Sequence, residues 1–552
     1  MSEQITDVST ALQLANHLYQ NQRYHECVEI CIRILSVDYS NAEVWNLAGI
    51  VMLELRIFDR AVEYLQEASN LAPLQFSYTI NLAEAYRRWG NPQKCVELLL
   101  HLLRTHSALQ SHSTLHFNLA KAYSDMEDSD HSIKHYTIAI KLDPNDLGAM
   151  FNLANAQVNL KHFGEAIELY LSAFSKGFLD AGVNLANTYV QIGLFGKGIE
   201  VYESIYEHYK HDADFLFNYA NALNYAHADF EKTKKSYDAA IAINPNKVDY
   251  YINYAHFHFK NHRFAEGFRI YEERKKYPDM LPKGVANLWQ GESLEHKRIL
   301  VYYEQGFGDT LMFSRFLLKV LPIAQDVVFL VQEPLVEIFR RLGIKTYARL
   351  DEVNQSQIDI AISLLSLPLA LNVSSVQDLK PTTSLELLAR EFYLAKKDSR
   401  FKVGICFNTD SAFKEAMNKN IPLDKMMEAF ADLEGVEIHS LNKSGIDKHS
   451  QKAFHITDRS NDMANFLDTS KIIEEMDLII SIDTALAHLS ASMGKHTIVL
   501  LNKRYDWRWG NGVSTPWYDD VVCMTQSKMG SWESVVKNLK TYLKSTIHAL
   551  KA

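Results

Sequence analysis

A small residue returns to one helical position eight times along the first half of this chain. Ala15, Gly49, Ala83, Ala120, Ala154, Ala186, Ala220 and Ala255 follow one another at intervals of 32 to 37 residues. A single globular core does not produce such regular spacing, whereas a stack of equal units does. Neighbouring positions keep the same step. One unit reads Trp45, Gly49, Ala61, Ala68, Pro73; a later one reads Leu119, Ala120, Tyr123, Tyr136, Ala139, Pro144. Small residues let paired helices approach closely, aromatic residues fill the gap to the next helix, and proline stops the second helix.

The ~34-residue period is that of the tetratricopeptide repeat. About eight repeats are expected between residues ~8 and ~277, stacked as an α-solenoid whose groove binds protein or peptide. Asparagine recurs two positions before the small residue at Asn81, Asn118, Asn152, Asn184, Asn218 and Asn253, and one position after it at Asn155, Asn187 and Asn221. Helix propensity does not favour asparagine, but its amide carries the donor and acceptor that match a peptide unit. The run resembles the asparagine ladder of O-GlcNAc transferase, which holds an acceptor polypeptide; Gln13 and Leu47 take that slot in the first two repeats. These nine asparagines are therefore expected to bind an acceptor peptide, the alternative being bonds between neighbouring repeats. Cys27 and Cys31, four residues apart, read as packing residues rather than metal ligands. The Asp-x-Asp stretches 128–130 and 212–214 read as turns.

The formal net charge of −10 argues against nucleic acid or an anionic membrane as the main partner. No apolar run approaches the ~18 residues of a membrane span. The polar start "MSEQITDVST" and five scattered cysteines suggest a reduced, cytoplasmic protein.

Near "KKYPDMLPKGVANLWQGESLEHKR" the period stops. Strand-like runs at 298–303, 326–331, 358–364, 401–407, 436–441, 477–482 and 496–501 then alternate with helical patterns, which predicts parallel sheets covered on both faces. The expected organisation is a repeat array over 1–277, a linker over 278–297, and two α/β lobes over 298–395 and 396–552. In "VYYEQGFGDT" a strand runs into a turn where Gly306 and Gly308 allow close approach of a ligand and Asp309 opens a helix. Asp309 there is a functional acid or a plain helix cap. In "DLIISIDTALAHLSASMGK" a strand ends at Asp483-Thr484, and Thr484 with Ala485 offers hydroxyl and backbone N–H groups to a phosphate. His488 lies one turn on, either at that site or packed on the sheet. Lys414 and Lys419 sit in a polar loop after another strand. The Trp-rich stretch "YDWRWGNGVSTPWY" reads as a lid, a sugar-pocket wall or a structural cluster.

These segments, with "LWQGESLEHKRILVYYEQGFGDTLMFSRF" and "VGICFNTDSAFKEAMNKNIPL", resemble glycosyltransferase family nine, the heptosyltransferase-like GT-B enzymes, in the form fused to bacterial repeat arrays. The resemblance implies a GT-B fold of two Rossmann-like lobes and inverting, metal-independent transfer from a nucleotide-sugar, with no cofactor. It assigns Asp309 as the base that activates the acceptor hydroxyl, Gly306, Gly308, Asp483, Thr484, Ala485 and His488 to the donor side, and Lys414, with Lys419 nearby, to the departing phosphate. It also implies a protein acceptor such as flagellin. The chain departs from the pattern at Thr409-Asp410-Ser411, where relatives read Gly-Asn-Pro, and at Met417, where they carry arginine. Two other readings stand beside protein O-glycosylation: a glycosyltransferase acting on lipopolysaccharide or another glycan, and a non-catalytic scaffold with a decayed transferase region.

Overall fold

The computed structural model describes residues 7–277, 288–289, 291–381, 383–385, 400–409 and 419–551. It divides into two compact units, Met1–Tyr206 and Glu207–Ala552.

The described chain opens as sixteen successive α-helices, from Val8–Gln20 to Phe264–Tyr271, most of them 13 or 14 residues long. Most pack on their sequence neighbours. Acidic and amide side chains fix many of the starts: Asn41, Asn91, Asp128, Asp146, Asp212 and Asp229 each accept a hydrogen bond from a first-turn backbone N–H. The two Asp-x-Asp stretches are thus helix caps. Each pair turns through one residue of positive φ: Gln22, Arg56, Gly90, Glu127, Lys161, Gly193, His227 and His262. That left-handed residue ends a helix by satisfying its last carbonyls.

The small residues are buried where helices meet. Ala15, Ala83, Ala120 and Ala154 have no exposed surface. A Cβ added at Gly49 would lie 2.5 Å from Leu65 Cγ. Cys27 and Cys31 are buried in the same packing, and the Cys27 thiol donates to the Ala15 carbonyl at 3.2 Å.

The second unit begins with the last two helix pairs, Ala213–Tyr225 with Phe230–Ile243 and Val248–Lys260 with Phe264–Tyr271. A four-stranded sheet follows, made of β1 (Arg298–Tyr302), β2 (Asp326–Leu330), β3 (Lys345–Tyr347) and β4 (Ile360–Ser363) in the order β3-β2-β1-β4. A six-stranded sheet contains β5 (Phe401–Cys406), β6 (Val436–Ser440), β7 (Ile456–Asp458), β8 (Leu478–Ile482), β9 (Thr497–Leu501) and β10 (Val521–Thr525) in the order β10-β9-β8-β5-β6-β7. All pairings are parallel. Counted from its first strand, the larger sheet has the doubly wound order 3-2-1-4-5-6.

The helical period ends near residue 277, yet the compact unit begins at Glu207. Aromatic packing explains the difference. Phe259 and Phe264 of the last helix pair pack against Trp507 and Trp517, and Phe268 meets Phe313 edge to face. These residues share one hydrophobic core with β1 and β2. A second core lies between the larger sheet and the C-terminal helix Glu533–Lys551, which buries Val535, Val536, Leu539 and Leu543 at helical spacing. Among the described residues no helix is long and apolar enough to cross a membrane.

Gly49→Ala is expected to lower the stability of the first unit by about 1–3 kcal/mol, because Leu65 must move to admit the methyl group. Urea denaturation followed by circular dichroism measures it.

Candidate functional site

Both sheets reverse direction beside their first strand: β1 lies between β2 and β4, and β5 between β6 and β8. Open α/β sheets bind ligands at the carboxyl ends of such strands. Beyond β1, one position is filled by protein. The fully buried Arg274 makes a two-point ion pair with Glu304 at 2.7 and 3.1 Å and donates to Ser366 at 2.9 Å. A buried arginine needs such partners because its charge has left water.

Beyond β5 and β8 the chain is arranged differently. Helix Ala485–Ser492 starts directly after β8, with Thr484 as its N-cap residue and no side-chain capping bond. The Thr484 hydroxyl lies 3.0 Å from the Ser481 hydroxyl. Asp483, one residue earlier, accepts from Lys419 at 2.6 Å and from the Trp509 indole N–H at 2.8 Å. Burial opposes the charge on Lys419, but Asp483 outweighs it and raises the lysine's pKa. Lys414, with residues 410–418, lies outside the described residues.

Asp309 sits in the first turn of helix Phe307–Phe313, immediately after β1. It is not a solitary acid. Its Oδ1 is ion-paired with Arg508, and the two side chains are 15% and 14% exposed. Arg508 also donates to Asp506 at 2.8 Å and lies over the Trp507 ring at 4.5 Å. Burial opposes the charges of Arg508 and Asp506, yet attraction prevails: Asp309 and then Asp506 raise the Arg508 pKa, and Arg508 lowers that of Asp506. The sequence alone left Arg508 and Asp506 as members of a Trp-rich loop; the density of "DWRW" was the available signal.

Gly308 has a role other than admitting a ligand. A Cβ there would lie 2.8 Å from His488 Cδ2, so the glycine lets helix Phe307–Phe313 meet helix Ala485–Ser492. Gly306 has an ordinary φ of −72°, and a Cβ there would make only a 3.6 Å contact with Asp309 Oδ2. Neither glycine is required here by backbone strain. His488 is buried at 4% exposure, stacked on Trp509 at 4.7 Å and hydrogen-bonded through Nδ1 to the Tyr518 hydroxyl at 2.9 Å. Of the two readings of His488, these contacts fit the packed one. Trp507, Trp509 and Trp517 are buried, which fits the structural-cluster reading of the Trp-rich stretch.

The asparagines divide by position. Asn155, Asn187 and Asn221 each accept a hydrogen bond from a buried tyrosine of the next helix, Tyr170, Tyr202 and Tyr237. A buried phenol requires an acceptor, so these three carbonyls are committed to the fold. Asn184 donates to Asn155, and Asn81 to Asn46, both at 2.8 Å across repeats. Asn152 and Asn253 donate to carbonyls of their own helices. Asn118 is buried and Asn218 half-buried. Of the nine asparagines expected to bind a peptide, Asn155, Asn187 and Asn221 thus have their side-chain oxygens engaged within the array.

Burial holds His488 and His256 down at about 3, against an ordinary 6.5. The unfolded chain therefore binds more protons than the folded one between about pH 6.5 and 3, and stability falls as pH drops through that window. His488→Gln is expected to flatten this decline, measured as the pH dependence of the urea midpoint; an unchanged slope refutes it.

A family model described as tetratricopeptide repeat matches residues 117–176. Solved structures also match. A thermophilic TPR protein of Thermus thermophilus is 19% identical, with 33% of this chain and 100% of that chain covered and a TM-score of 0.30. PilF of Pseudomonas aeruginosa is 14% identical over 37% and 91% of the two chains, with a TM-score of 0.32. MamA of Desulfovibrio magneticus RS-1 is 15% identical over 31% and 96%, with a TM-score of 0.28. No curated protein matches. The chain carries tetratricopeptide repeats in its N-terminal region, followed by a region of parallel sheets.

Proposed function

We propose that this protein is an inverting, metal-independent glycosyltransferase that moves a sugar from a nucleotide-sugar to a Ser or Thr hydroxyl of a protein bound by the repeats. The two α/β lobes are read as a GT-B fold, and flagellin or another surface protein as the acceptor. One observation carries the reading. Asp309 stands at the end of β1 on a helix that packs directly against the helix begun by Thr484 and Ala485, with Arg508 and Lys419 beside them. An acid, a helix start and two cations meet at the positions where open α/β sheets bind ligands.

In this mechanism the acceptor O–H bond breaks as its proton passes to the Asp309 carboxylate. The hydroxyl oxygen forms a bond to the anomeric carbon from the face opposite the leaving group. The bond from that carbon to the diphosphate oxygen breaks, its electron pair leaves on the phosphate, and configuration inverts. Backbone N–H groups at Thr484 and Ala485, with Lys419, offset the charge that develops on the diphosphate.

Protein rather than glycan as acceptor rests on the repeat array, because repeat solenoids bind proteins. The scaffold reading draws on one observation of its own: Asp309 is already neutralised by Arg508.

Asp309→Asn preserves shape and removes the base. Loss of ~10²–10⁴-fold in nucleoside-diphosphate release from a panel of UDP- and ADP-sugars is expected, together with loss of the mass added to a co-expressed acceptor. Equal turnover by both proteins sinks the catalytic assignment, and no turnover with any donor favours the scaffold.

A further inference from the structure

We propose that the Asp309–Arg508 ion pair is an exchangeable contact, in which the donor's diphosphate takes Arg508 from Asp309 and thereby releases the carboxylate for the acceptor. This rests on the transferase reading and adds to it a phosphate ligand, Arg508, and an order of events.

Four features of the site support exchange. First, Arg508 has two counterions, and the second, Asp506, belongs to its own loop at 2.8 Å. Losing Asp309 would therefore not leave a buried cation orphaned, which is the costly outcome for such a group. Second, the Arg508 guanidinium carbon lies 4.5 Å over the Trp507 ring, which is packed in turn against Phe259 and His256 of the last repeat. The guanidinium can change partner while it stays over the indole, and its planar fork suits phosphate oxygens as well as a carboxylate.

Third, Arg508 and Lys419 belong to one cluster: Arg508 acts on Lys419, and both act on His488 within helix Ala485–Ser492. The two cations thus border the same helix start from separate loops. Fourth, among the described residues the local charges are matched. Arg508, Lys419 and Lys260 face Asp309, Asp483 and Asp506, with Lys260 held in the last repeat over the Tyr505 ring at 4.6 Å and sensing Asp506. An entering diphosphate must compete with a resident carboxylate for a cation, and the carboxylate it displaces is Asp309. The acid is thereby shielded while no donor is bound and becomes available when one is.

Competition makes an unusual sign prediction. Removing the carboxylate should strengthen anion binding although it breaks an ion pair. Calorimetric titration with inorganic pyrophosphate, UDP and ADP reads it directly. Asp309→Asn is expected to bind pyrophosphate about tenfold more tightly than the native protein, within the usual range of coupling between two ligands for one group. Arg508→Gln should weaken binding by a similar factor, and the double variant should behave like Arg508→Gln alone. If Arg508→Gln fails to fold, Arg508→Lys, which keeps the charge and loses the fork, should bind more weakly than native and gain little from Asp309→Asn.

Unchanged or weaker pyrophosphate binding by Asp309→Asn overturns the exchange. The two readings fail separately. Tighter binding with undiminished sugar turnover leaves the exchange standing and removes Asp309 as base; unaltered binding with lost turnover does the reverse.

Discussion

The ring of Phe259, in the first helix of the last repeat, packs against Trp507 at 4.6 Å inside the second unit. His256 of the same helix stacks on the same indole. Trp507 is nearly fully buried, and the next residue, Arg508, lies over its ring and reaches Asp309. The position of the cation beside the β1 acid is thus set by aromatic packing from the repeats. Large rigid rings suit this task, since they bury much apolar surface with few torsions to fix. The same contacts explain why the last two helix pairs belong to the sheet-containing unit.

A second constraint acts where the helix after β1 meets the helix after β8. Gly308 and His488 are in contact at a distance no side chain could share. This brings Asp309, which follows β1, near the helix that follows β8. His488 can fill that role because it is neutral: burial takes its proton away near pH 7, so no charge is stranded in the seam. The surrounding charges are arranged as pairs, Asp309 with Arg508 and Asp483 with Lys419.

In the array, asparagine does two kinds of work. Where it follows the small residue it receives the hydroxyl of a buried tyrosine from the next helix. Where it precedes the small residue it links repeats at Asn184 and Asn81, or bonds to its own helix at Asn152 and Asn253. The recurrence of asparagine is therefore partly a packing device, because a repeated tyrosine creates a repeated need for an acceptor. Repeats joined this way still present the surface through which such arrays bind proteins.

The repeats were legible in the residues themselves, because a small side chain at a fixed interval has one main physical meaning: two helices touching there. The longer strands were legible for a similar reason, as continuous apolar runs between polar helices. β3 and β7 were not, each having three residues and no apolar run, and β10 was passed over although "VVCMT" has strand character. The helix turns carry little glycine, since six of the eight left-handed positions hold other residues. Asp309, Thr484 and Lys419 could be singled out from local turn chemistry. Their pairing could not: Arg508 lies 199 residues from Asp309, and Asp483 lies 64 from Lys419. Local order is written in neighbouring residues, whereas the pairing of charges depends on which loops the packed core brings together, and that was decided by tertiary structure.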